Sequence, residues 1–275
     1  MSDQILNIAG YRFVELPDRD ELRDPFMNRC SALELKGTIL LSPNGINFFL
    51  AGSDESVGEF IQFLESDKRF SGIQIKFSHT DYQPFRRMLV KRKKEIISLG
   101  MSEIKPLEFT GPYIQPAVFK QMMDEGEELL ILDTRNDYET RIGTFEGAYE
   151  LGISAFREFP QAIESIPEEY KSKTVVMYCT GGIRCEKASA VMINSGFEDV
   201  KQLEGGILGY FEECGGSHWN GDCFVFDQRV AVDSDLAETE IQMCFKCREP
   251  LSVEEQNSEY YEIGEYCPYC ATINQ

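Results

Sequence analysis

Residues 175–190 read VVMYCTGGIRCEKASA: an apolar run, a cysteine, two glycines, an arginine, a second cysteine and then a helix-forming tract. An apolar segment that passes through a glycine-rich turn into a helix marks a strand–helix junction of a parallel sheet, and such sheets carry their sites at the carboxyl ends of strands. Cys179 stands at such an end. Thr180, Gly181, Gly182 and Ile183 separate it from Arg184. Successive N–H groups of a turn like this point into a concavity, and the helix N-terminus behind them adds positive potential, so a thiolate is stabilised there without a histidine. Arg184 adds a fixed positive charge. The chain has two histidines, His79 and His218, both far away in sequence, which disfavours a Cys-His protease arrangement unless folding brings His218 close.

Two other readings of the loop are available. A cysteine phosphatase also combines a cysteine, a cradle of amides and an arginine, but spaces cysteine and arginine one residue further apart; the tighter loop suits an atom the size of sulfur better than a phosphate group. A strand-terminal cysteine can also be simply a small buried hydrophobe. Cys185 reads either as a resolving partner of Cys179 or as a core residue of the helix.

Outward from this loop the alternation continues. ELLILD (128–133) is a buried-type strand, SAFREFPQAIESI (154–166) a helix, TVVMYC (174–179) a second strand and IRCEKASAVMINSG (183–196) a helix ending at Gly196, before VKQLEGG and ILGYFEE repeat the pattern. Upstream, IAGYRFVEL reads as a strand, and residues 18–35 as a helix with Leu22, Phe26, Cys30 and Leu33 on one face, weakened by Pro25. GTILL and INFFLAG flank Ser42-Pro43-Asn44-Gly45, a hairpin signature because proline fixes one turn angle and Asn-Gly tolerates positive φ. Ser53 is an N-cap for a helix with Val57, Phe60, Ile61 and Leu64 inward, and IQIKF returns as a strand. The order βαββαβ predicts a ferredoxin-like α+β domain.

Composition narrows the function. The 275 residues suit two or three small domains. With 27 basic against 47 acidic side chains the formal net charge is −20, so long-range electrostatics oppose indiscriminate nucleic-acid binding and argue against a DNA partner. Against that background FRRMLVKRKKEII gathers Arg86, Arg87, Lys91, Arg92, Lys93 and Lys94. It reads either as a solvated edge strand, where lysines discourage aggregation, or as a local contact for an RNA backbone. The N-terminal MSDQILNIAGYRF lacks the features of a secretory signal and no apolar run approaches spanning length, so a cytoplasmic location without a membrane partner is expected.

Nine cysteines in a reducing compartment point to metal and catalytic roles. Cys244-x2-Cys247, nineteen residues, then Cys267-x2-Cys270 has the spacing of a four-cysteine zinc ribbon. Four cysteines leave no open coordination position, so the zinc is expected to be structural; the competing reading is a metal-free pair of redox CxxC motifs. Cys30, Cys214 and Cys223 read as packing residues, Cys223 with a further chance of lying near the loop. Trp219, the only tryptophan, reads as a packing anchor or a base-stacking platform.

The segments ILDTRNDYET, FEGAYEL, CTGGIR and LEGGILGYFE together resemble the rhodanese domain over residues 110–215. That resemblance implies a loop cysteine carrying a persulfide held by loop amides, with Cys179 as nucleophile, Thr180 to Arg184 as its cradle, and Asp133 and Arg135 bracing the loop. More broadly, GTILLSPNGIN, RMLVKRKKEIISLG, CTGGIRCEKASA and WNGDCFVFDQRVAV resemble, in this order, the bacterial rhodanese-related proteins that hydroxylate the wobble uridine of tRNA at C5. This implies an enzyme that makes 5-hydroxyuridine at position 34 using molecular oxygen and the loop cysteine, with tRNA as partner and a sulfur-carrier or reductant protein beside it. The basic stretch would hold the tRNA backbone. No flavin or nicotinamide fingerprint is visible in the sequence. Our hypothesis for the cysteine's part is that the Cys179 thiolate adds to C6 of uracil; the alternative is that it bears an oxidised or persulfide sulfur. The alternative function is a rhodanese-type sulfurtransferase passing sulfur from thiosulfate or a carrier protein; a non-enzymatic RNA-binding scaffold is disfavoured by the intact loop. The expected organisation is 1–97 ferredoxin-like, 98–115 linker, 116–215 rhodanese-type parallel-sheet domain and 216–275 extension with the zinc module.

Overall fold

The structure is a computed structural model and describes residues 4–271, so the outermost ends of the two expected terminal domains lie outside the described residues. The chain divides into two compact units between Glu108 and Phe109.

The first unit is built on β1 (Ile5–Phe13), α1 (Arg19–Ala32), β2 (Lys36–Ser42), β3 (Gly45–Gly52), α2 (Asp54–Glu65), β4 (Ile75–Thr80) and β5 (Met88–Arg92). Its sheet runs β4-β1-β3-β2-β5, with the first four strands mutually antiparallel and β5 parallel to β2. This is the ferredoxin-like order with an added edge strand. Ser42 pairs directly with Gly45, so Pro43-Asn44 is a two-residue hairpin loop. The positive φ falls on Gly45 (148°) rather than Asn44, because a Cβ at Gly45 would lie 2.2 Å from the Arg12 carbonyl oxygen. Pro25 sits inside α1 without breaking it, since burial of Phe26 and Cys30 against α2 and the sheet outweighs the missing backbone donor. Ser53 caps α2 by accepting from the Ser56 N–H, and Val57, Phe60 and Leu64 are buried with Ile61 partly so. Leu99 and Ile104, within the expected linker, are also buried.

The second unit holds β6 (Tyr113–Ile114), α3 (Pro116–Asp124), β7 (Leu129–Asp133), α4 (Asp137–Thr140), β8 (Gly143–Phe145), β9 (Tyr149–Glu150), α5 (Phe159–Ala162), β10 (Thr174–Tyr178), α6 (Ile183–Asn194), β11 (Asp199–Leu203) and α7 (Gly206–Cys214). Its sheet, β6-β11-β10-β7-β9, is parallel throughout. The single helix expected over 154–166 is instead a chain of one-turn pieces, 156–158, α5 and 163–165. Pro160 cannot donate to the turn before it and Pro167 ends the run. Residues 223–232 form a hairpin, β13 (Cys223–Phe224) with β14 (Ala231–Val232), preceded by β12 (Trp219–Gly221), which pairs with β8. The Asp227 carboxylate makes the turn by accepting from the backbone and guanidinium of Arg229. β15 (Gln242–Met243), β16 (Pro250–Leu251) and α8 (Val253–Gln256) complete the cysteine-rich tail. Among the described residues no helix is long and apolar enough to cross a membrane.

Candidate active site

Tyr178 pairs with Asp133 at the carboxyl ends of β10 and β7, and Cys179 follows immediately. The chain then turns through Gly182 (φ 95°), the N-cap of α6. The Gly182 N–H donates to Cys179 Sγ at 3.1 Å, and the Arg184 N–H does so as well. The carbonyls of the loop face the other way: Cys179 O accepts from the Ile207 N–H at 3.0 Å and Thr180 O from the Leu208 N–H at 3.1 Å. The N-terminus of α7 thus satisfies the carbonyls and leaves amides to the sulfur. Such closeness requires Gly206 (φ 62°), where a Cβ would stand 2.3 Å from Cys179 O.

Cys179 is fully buried. Burial alone would raise its pKa. The Cys185 thiol, the Arg184 guanidinium and the two loop amides outweigh it and bring the thiol down to about 6. The thiolate is therefore present above pH 6 and lost as pH falls through it. Alkylation of Cys179 by iodoacetamide, followed by peptide mass spectrometry, should rise with a midpoint near pH 6; a midpoint near the usual thiol value of about 8.5 would refute this electrostatic account. Cys223, pushed up to about 12 by its own burial, should stay silent over the same range.

Arg184 is held by Glu139 on α4, with Nη1 donating to Oε2 at 2.5 Å and Nη2 to Oε1 at 2.7 Å, both side chains buried. Burial disfavours the guanidinium charge, but Glu139 more than offsets it and keeps Arg184 protonated. Glu139 also closes a capping box with Asn136. Asp133 and Arg135 form a second buried pair, Nη2 to Oδ2 at 2.6 Å, and Arg135 donates onward to Gly143 O at 2.6 Å while lying over the rings of Tyr178 and Trp219. They brace the chain that carries α4 rather than touching the sulfur. Thr180 Oγ1 donates to Phe224 O at 3.4 Å, which brings the 219–232 stretch against the loop. Ile183 opens α6 and is half-buried, as is Gly181, whose Cβ position is open space.

The histidine alternative is absent from the loop's contacts. His218 Nε2 is hydrogen-bonded to Asp124 at 2.7 Å, with Glu146 at 3.5 Å from its other nitrogen. Trp219 is a packing anchor, edge-on to Phe145 and Phe211, with its N–H donating to Gly221 O. Cys30 and Cys214 pack as expected, and Cys185 lies buried beside Cys179. Sequence reasoning missed Glu139 and Gly206. The ETR of RNDYETR offered no sign of a partner 45 residues away, whereas the glycine pair after LE was a signal, since two consecutive glycines at a helix start mark close backbone approach.

Two further groups complete the picture. Arg86, Arg87, Lys91, Arg92, Lys93 and Lys94 are all exposed, along and around edge strand β5 in the first unit. Arg92 reaches Asp20 at 3.3 Å. In the tail, the sulfurs of Cys244, Cys247, Cys267 and Cys270 lie within 4.8 Å of one another and could hold a metal ion. The separations 4.0, 3.4 and 3.7 Å bracket the roughly 3.8 Å that a tetrahedral ion with bonds of about 2.3 Å imposes on its sulfurs. Arg141, directly after α4, ties this tail to the site: Nη2 donates to Glu249 at 2.7 Å, and the guanidinium lies 4.3 Å from the Tyr269 ring centre.

Comparison with known proteins follows the same division. Residues 5–96 match the UPF0176 acylphosphatase-like domain and residues 115–213 the rhodanese-like domain. A protein of Cupriavidus pinatubonensis named tRNA uridine(34) hydroxylase is 49% identical over 272 residues, covering 97% of this chain and 96% of that one. Its namesake in Ralstonia nicotianae is 48% identical over 273 residues, 98% of this chain and 97% of that one. Another, from Burkholderia lata, is 46% identical over 276 residues and covers 97% of each. With identity of this order running through nearly the whole of both sequences, the chain belongs to the tRNA uridine(34) hydroxylase family.

Proposed function

We propose that this protein hydroxylates C5 of uridine 34 in tRNA, with Cys179 as nucleophile and molecular oxygen as co-substrate. The observation that carries the reading is a cysteine sulfur held on loop amides at the end of β10 in a chain of this family. Addition of the thiolate to C6 of uracil makes C5 electron-rich and open to the oxidant; Arg184 and the amides of Gly182 and Arg184 hold the sulfur in its reactive form. A sulfurtransferase would need the same loop and nothing of the first unit. The exposed basic side chains of β5 and its flanks supply what a polyanion needs on an otherwise acidic chain, and we assign Arg86, Arg87, Lys91, Arg92, Lys93 and Lys94 to the tRNA backbone.

The test is mass spectrometry of tRNA nucleosides from cells lacking the protein. Loss of 5-hydroxyuridine derivatives, restored on re-expression, is expected. Intact 5-hydroxyuridine with depleted thiolated nucleosides would replace this reading with sulfur transfer.

For the tail we propose structural zinc on Cys244, Cys247, Cys267 and Cys270. Its buried cluster consists of Leu251 and three of the cysteines, too little apolar surface to order the segment unaided, so the ion would supply the folding energy. One zinc per chain is expected by elemental analysis, falling below about 0.2 in Cys247→Ser. That variant should be cleaved by protease within 240–271 at least 10-fold faster; equal metal content and equal cleavage would remove zinc from the account.

A further inference from the structure

Insertion of one oxygen atom of O2 at C5 of uridine leaves the other to become water, so each turnover consumes two electrons and two protons. The site places a second thiol where such a demand arises. Cys185 is the third residue of α6, directly after Arg184, and is fully buried. Its sulfur shares a hydrogen bond with Cys179 and lies 3.8 Å from Thr134 Oγ1. Thr134 Oγ1 also reaches Tyr178 O at 2.8 Å, which fixes the hydroxyl beside Cys185. Toward Cys185 the Cys179 thiolate only accepts. Burial, and after it the neighbouring Cys179 thiolate, hold Cys185 as a thiol against the opposing pull of Thr134 and Arg184. One thiolate beside one protonated thiol, the pair screened from solvent, is a dithiol ready to close.

Resting on the hydroxylase reading above, we propose that Cys185 is a second catalytic residue, and that the Cys179–Cys185 pair supplies the two electrons of hydroxylation by closing to a disulfide. Cys179 Sγ bonds to C6 of uracil, and the electron pair released to C5 bonds to O2; with one proton this gives a C5 hydroperoxide. Cys185 Sγ attacks the distal oxygen, the O–O bond breaks, and the products are a C5 hydroxyl and a Cys185 sulfenic acid. Loss of the C5 proton and departure of Cys179 from C6 release 5-hydroxyuridine. The freed Cys179 thiolate then attacks the sulfenic sulfur, forming the disulfide and releasing hydroxide, which takes up a proton to become water. The sum is uridine, O2 and two thiols giving 5-hydroxyuridine, one disulfide and water. An external dithiol then reopens the pair by thiol–disulfide exchange.

The test is a single turnover without reductant. The full chain, pre-reduced and desalted, is held in excess over tRNA from cells lacking the protein, exposed to O2, then quenched with N-ethylmaleimide. Trypsin cuts after Arg184, so the disulfide joins residues 174–184 to residues 185–187 and is counted by mass spectrometry. One such disulfide per 5-hydroxyuridine is expected. In Cys185→Ala the yield should fall at least 20-fold. Stoichiometric 5-hydroxyuridine with both thiols alkylated would overturn the proposal, as would wild-type yield from Cys185→Ala. Should that variant fail to fold, the disulfide count on the unaltered chain decides alone. No 5-hydroxyuridine from the unaltered chain would overturn the hydroxylase reading and this proposal together.

Discussion

Cys179→Ser is expected to lower 5-hydroxyuridine formation by on the order of 10³-fold or more while leaving the protein folded. Serine fits the space, and its hydroxyl can accept from the Gly182 N–H that now serves the sulfur. What it cannot do is ionise. Cys185, Arg184 and the amides bring the thiol down to about 6; a similar shift leaves an aliphatic hydroxyl protonated at any pH the protein tolerates. Nucleoside mass spectrometry on purified protein and tRNA measures the effect, with circular dichroism as the check on folding. A companion measurement uses tRNA carrying 5-fluorouridine, which should trap a covalent adduct on the unaltered chain and none on the serine variant. Activity above a tenth of the unaltered chain's would remove the nucleophilic sulfur from the mechanism.

Glu139→Ala is expected to be the most destabilising change in the site, at about 3–5 kcal/mol, because it strands the Arg184 guanidinium in a buried pocket. On a unit of this size that is on the order of 10 °C in Tm. The cost belongs to the unpaired charge rather than to the pair itself, and so it is recoverable. Removing both charges in Glu139→Gln with Arg184→Met should regain at least half of the lost stability. The double variant should still be slow, because the thiol loses a positive neighbour and its pKa climbs. Urea unfolding and the alkylation midpoint read the two effects separately. Equal stability of Glu139→Ala and the unaltered chain would contradict the pairing.

Legibility from the sequence followed the range of the forces involved. The Ser42–Gly45 hairpin, the Ser53 cap and the strand–loop–helix at Cys179 rest on contacts within a few residues, and each took the form its local chemistry dictates. The four cysteines were legible because metal ligation requires a fixed spacing. Pro160 was a visible residue whose weight was misjudged against the apolar pattern around it. Glu139 was beyond reach for a different reason. A four-residue helix has too little periodicity to announce which way its side chains point, and its partner arrives only when β7 and β10 pair. Gly206 lay in plain view, but the carbonyls it makes room for, those of Cys179 and Thr180, belong to a loop far earlier in the chain.

The short helix α4 is held at both ends by arginines: Arg184 grips Glu139 from the side of the sulfur, and Arg141 reaches out to Glu249 and Tyr269, which flank Cys247 and Cys270. If the cysteine cluster holds the zinc proposed for it, loss of that ion would free the outer anchor, and the looseness would be handed through α4 to the carboxylate that pairs with Arg184 beside the sulfur.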